Sequence, residues 1–150
     1  MADWLPIATA VMLLLSCVLE DRFGADWRVP ALGVALAVGA VGYWWATGGI
    51  AGGDMRLYVA VQGGGILAML VIVGLVPGRA SRQFLYFAGG AFILARVAHR
   101  YDRTLLGALG LSGHTLKHIM AATAAWLALA ALLRPRQASH SVPSPTSPPL

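Results

Sequence analysis

Residues 57–76 read LYVAVQGGGILAMLVIVGLV, an uncharged run of 20 held between Arg56 and the breaker pair Pro77-Gly78. At about 1.5 Å per residue such a run reaches about 30 Å as a helix, the thickness of a bilayer's hydrocarbon core. A transmembrane β-strand needs alternating polarity over about ten residues, whereas this run is apolar on both parities. It therefore predicts a membrane-spanning helix. Working outward, four similar stretches run from Leu5 to Leu19, Val29 to Trp45, Phe84 to Val97 and Leu116 to Leu133. Together they predict an all-α fold, a polytopic transmembrane helix bundle of about five spans. The first and fourth stretches are short and must borrow flanking residues, Trp4 and Pro6 for one and Arg96 or His99 for the other. The fourth is the weakest span.

Composition agrees with a membrane bundle. Of 150 residues, 58% are hydrophobic and 11% charged, against roughly 25% charged in soluble domains, and the mean hydropathy is +0.71. The net charge of +5 comes from arginines placed mainly between or at the ends of apolar runs, so it reads as membrane topology rather than a nucleic-acid patch. Counted by side, Arg56, Arg96, Arg100 and Arg103 lie with the N-terminus, and Arg22, Arg28, Arg79, Arg82, Arg134 and Arg136 lie opposite. That bias puts the C-terminal tail in the cytoplasm. The bundle is expected over residues 1–134, followed by a Pro/Ser-rich disordered tail over 135–150. Leu14-Leu15-Ser16-Cys17 has the look of a lipoprotein cleavage box, but no Lys or Arg precedes it and Asp3 does, the wrong charge for a signal peptide. A single cysteine excludes an intrachain disulfide and a cysteine-based zinc site.

The connections carry Gly48, Gly49, Gly52 and Gly53, which predict short turns. Gly63 and the pair Gly89 and Gly90 are expected to let helices approach closely.

Ser112-Gly113-His114-Thr115-Leu116-Lys117-His118 opens the last span. Ser112 is placed to cap the helix. His114 and His118, at i and i+4, share one helix face with Cβ atoms about 6 Å apart, a spacing that lets two imidazoles reach one divalent ion at about 2.0 to 2.1 Å each. The same two rings can also simply hydrogen-bond to neighbours. An odd number of spans brings Asp3 to the membrane face where the last helix starts, so His114, His118 and Asp3 form the most economical metal set. Lys117 either snorkels to the interface or pairs with Asp3. His99, beside Arg100 and Asp102, reads as a solvated interface residue, and His140 belongs to the tail.

SGHTLKH at 112–118 and the Ala-rich helix that follows resemble the closing helix of bacterial membrane proteins related to alkaline ceramidases. These belong to a superfamily of seven-helix membrane hydrolases, often called CREST, that includes adiponectin-receptor-like proteins. Asp3-Trp4-Leu5-Pro6 is similar to the start of that group's third helix, Glu20 to Gly24 to the turn after it, Arg56 to Gln62 to the start of its fifth, and Ala95-Arg96 with Asp102 to the end of its sixth. The resemblance implies a bundle corresponding to the last five of seven helices, in a bacterial inner membrane. It also implies Zn2+ held by His114 and His118, Asp3 as the catalytic carboxylate that relays a proton, and hydrolysis of a lipid amide such as ceramide.

The family's catalytic Ser and first His ligand sit in two earlier helices that have no counterpart here, Trp4 stands where the family has Arg, and Ser112 is not the catalytic Ser. The expectation is therefore a ceramidase-like, metal-dependent membrane amidohydrolase that is a piece of a longer protein, takes a third His ligand from partner helices, or is inactive alone. The alternatives are a non-catalytic integral membrane subunit and a small transporter or proton relay using Asp3, Lys117 and the histidines.

Overall fold

The computed structural model describes residues 4–133. Asp3 and the expected tail at 135–150 lie outside the described residues. Six α-helices follow in order: α1 (Trp4–Phe23), α2 (Arg28–Ala46), α3 (Arg56–Leu75), α4 (Arg82–Arg100), α5 (Asp102–Leu109) and α6 (Gly113–Leu133), with a single 3-10 turn at Gly49–Ala51 between α2 and α3. No strand occurs among the described residues. The apolar runs set the long helices, and short polar signals set their ends. Asp26 Oδ1 accepts the backbone N–H of Arg28 at 2.9 Å and Asp54 Oδ1 that of Arg56 at 2.8 Å, so each aspartate occupies one donor that a helix start leaves without a partner. The Pro77-Gly78 stop is seen as α3 ending at Leu75 with Val76 extended.

α1, α2, α3 and α6 are each long and apolar enough to cross a membrane. α4 is 19 residues long but less apolar, since it carries Arg82, Gln83, Arg96 and Arg100. It nonetheless packs against α6 more extensively than any other two helices pack together among the described residues. It lies antiparallel against α6: Ser81 N–H donates to the Ala131 carbonyl at 3.2 Å at one end, and Gly113 abuts Ala98 at the other. α1, α2 and α3 form the second group, packed around Ala8, Ala37, Ala40 and Tyr58. Val11, Val18, Ile66, Met69, Val73 and Leu85 join the two groups.

Size is distributed in the reverse of a soluble protein. Nine of the buried core residues on the long helices are alanines, from Ala8 to Ala131, while Trp27, Trp45, Leu67, Leu75 and Trp126 are 63–78% exposed. Small residues inside let helices meet closely where lipid, not water, surrounds them, and so extensive an apolar exterior is covered by a bilayer. The chain is an integral membrane protein.

Two expectations about close approach need correction. A Cβ at Gly63 or Gly90 would meet nothing within 4 Å, so these glycines face open space; at Gly89 a Cβ would come within 2.7 Å of Leu70 Cδ2, so Gly89 is a true contact between α3 and α4.

The end of α1 is locked to the α3–α4 connection. Asp21 accepts the backbone N–H groups of Arg79 at 3.0 Å and Ala80 at 3.2 Å. It also pairs with Arg22 at 3.3 Å, both side chains being nearly buried at 12% and 2% exposed. Arg22 in turn donates to the Ala80 carbonyl at 3.3 Å.

Candidate metal centre

The site is built where α4 ends, α5 turns and α6 begins. α5 is eight residues long and ends at Gly110 in the left-handed conformation, φ 68°, which L-residues with a Cβ adopt only at a cost. The chain then returns to start α6 against the end of α4. Gly113 permits that return, because a Cβ there would run into the Ala98 carbonyl and crowd Asp102 Cα. Gly113→Ala is expected to push the start of α6 away from α4 and destabilise the fold by about 1–3 kcal/mol, the usual cost of overpacking. Thermal unfolding in detergent measures this, and an unchanged midpoint would contradict the close approach.

Ser112 caps α6 as its sequence position suggests. Its Oγ accepts the Thr115 N–H at 3.1 Å and lies 3.0 Å from Thr115 Oγ1. Asp102, the first residue of α5, accepts the backbone N–H of His114 at 2.8 Å. A carboxylate at a helix N-terminus is favoured both by the unpaired N–H groups and by the helix dipole. This contact fixes where His114 begins, and nothing in the linear spacing points to it.

His114 and His118 meet. Their Nε2 atoms are 3.1 Å apart and their rings stand nearly edge to face, centroids 4.7 Å apart at 75°. Two nitrogens at this separation, each about 2.0–2.1 Å from a common centre, subtend about 100° there, close to a tetrahedral angle. They equally suit a single hydrogen bond from one imidazole to the other. Both rings are exposed on α6. The stripe they belong to continues through Ala121, Ala125 and Ala128, because steps of four and three residues stay on one face. Ala121, Ala125 and Ala128 line a cavity of about 390 Å3 with Ile7, Met69 and Phe92. An apolar, partly open cavity thus begins about one turn past His118.

His99 is exposed as expected but does not stand apart. Its ring is edge to face with that of His114, centroids 6.1 Å apart. It lies two residues past the apolar run of α4. Partial burial, then the nearby cations Lys117 and Arg96 and the His114 ring, hold it below the usual imidazole range against the opposing pull of Asp102. These contacts favour the neutral ring, the form in which imidazole ligates metals.

The expected snorkelling of Lys117 is overturned, since its residue is buried, 7% exposed: it sits about 100° round α6 from His118 and faces the packed side of the helix. Its expected pairing with Asp3 lies outside the described residues, as does the role of Asp3 itself. Among the described residues no set of three His, Cys, Asp or Glu is grouped to hold a metal ion, and Asp3 lies outside them. No family model, curated protein or solved structure matches this chain.

Proposed function

We propose that the chain is a ceramidase-like, metal-dependent membrane amidohydrolase acting on a lipid amide, with His114 and His118 as metal ligands. The observation that carries this is the 3.1 Å separation of the two Nε2 atoms, which fits two positions around one tetrahedral ion. A divalent ion such as zinc supplies Lewis acidity toward an amide carbonyl when bound. The chain's own residues do the rest. Asp102 and Ser112 hold the first turn of α6, which orients His114. The apolar cavity beside Ala121 and Ala125 takes an acyl chain and keeps water from it. Asp3 is the carboxylate assigned to accept the proton. The third ligand position falls to His99 or to a histidine of a partner helix, which the exposed face of the pair leaves room to approach. The arginine bias supports an orientation with the C-terminal end in the cytoplasm, in a bacterial inner membrane.

The experiment is release of fatty acid from an N-acyl sphingoid amide by the full chain in liposomes loaded with zinc. Release that stops on chelation and falls below about a hundredth in His118→Ala is expected. No release from zinc-loaded protein, or release that His118→Ala retains, overturns the proposal. The same 3.1 Å contact favours a second function, a proton relay through paired imidazoles. Proton flux that needs both rings but no metal would select it.

A further inference from the structure

Away from the histidines, a groove of about 300 Å3 opens between α3 and α4. Its walls are apolar along Ile66, Leu67, Leu70 and Phe92, and two polar side chains interrupt them, Gln62 and Arg96. Gln62 is 3% exposed, and its Nε2 finds no hydrogen-bond acceptor among the described residues. A buried amide donor left this way is costly, so the groove lacks an acceptor at that point. Arg96 is exposed one turn before the end of α4, and it forms no ion pair among the described residues. A guanidinium beside an apolar groove offers a fixed positive charge and several donors to an anionic head group. Gln62 near the start of α3 and Arg96 near the end of α4 stand at the same end of the antiparallel pair. From there the apolar wall runs toward the membrane centre for about 12 Å, the rise of α3 from Gln62 to Leu70.

We propose that this groove binds a single-chain fatty acid, its carboxylate held by Arg96 and the Gln62 amide and its chain lying along α3 and α4. A carboxylate has two acceptor oxygens and one negative charge, which match one orphaned N–H donor and one unpaired cation. The assignment is independent of the histidine pair and needs no hydrolysis.

The test uses the full chain in phosphatidylcholine vesicles with spin-labelled stearate, its methyl ester, and spin-labelled phosphatidic acid. Electron paramagnetic resonance reads the fraction of each probe that the protein immobilises. Stearate is expected to be preferred over the ester by about tenfold, the worth of a charge-assisted contact. That preference is expected to fall to about one in Arg96→Gln, and to drop several-fold in Gln62→Leu, which keeps the chain folded because it replaces an unpaired amide with an apolar side chain of similar size. Equal immobilisation of acid and ester, a preference that survives Arg96→Gln, or stronger immobilisation of phosphatidic acid than of stearate each overturns the proposal.

Discussion

Asp21→Ala is expected to lose about 3–5 kcal/mol of folding stability, the range for removing one partner of a buried ion pair. Three consequences add up at one point. Two backbone donors, Arg79 N–H and Ala80 N–H, lose their acceptor; the Arg22 guanidinium, 2% exposed, keeps only the Ala80 carbonyl; and the end of α1 is no longer tied to the start of α4. Asp21→Asn retains an acceptor at nearly the same position and should lose about 1–2 kcal/mol. Unfolding of the two variants in detergent, compared with the wild type, measures the difference. Equal stability of Asp21→Ala and wild type would show that the lock bears no weight.

Loss of either histidine carries the second large effect. In His114→Ala or His118→Ala one proposed ligand disappears and the remaining imidazole has no neighbour on its own helix face, so on the proposed assignment affinity for zinc should fall by more than about a hundredfold, beyond the ten- to hundredfold that follows loss of a supporting group. Asp102→Ala should sit in that lower range, because Asp102 touches only the backbone N–H of His114 and acts by positioning the first turn. His99→Ala separates the two sources of a third ligand. A fall as large as that of His118→Ala assigns the position to His99, and unchanged affinity assigns it to a partner helix. Competition with a fluorescent zinc indicator measures all four variants.

The five long helices were legible because each begins as an apolar run punctuated by Pro, Gly or charge, although the runs of α1 and α4 are short and only α1, α2, α3 and α6 are long and apolar enough to cross a membrane. The histidine pair was legible because i and i+4 fix a shared face whatever the tertiary structure. α5 was not: eight residues, polar at Asp102, Arg103 and Thr104 and without a polar side chain after them, lie below the length at which periodicity speaks. Asp102 beneath His114, the His99 ring beside it and the burial of Lys117 all depend on how α4 and α6 pack, and spacing along the chain carries no record of that. Gly63 misled for the same reason. A small residue at helical spacing permits close approach, and here it opens the groove beside Gln62 instead.

The most direct measurement is zinc K-edge X-ray absorption on the full chain in detergent, loaded with one equivalent of zinc and compared with His118→Ala. The expected result is a wild-type first shell containing at least two imidazole nitrogens at about 2.0–2.1 Å, with the imidazole count reduced in the variant. A wild-type chain that retains no zinc after dialysis, or a spectrum identical in the two proteins, would contradict the assignment of His114 and His118 as metal ligands.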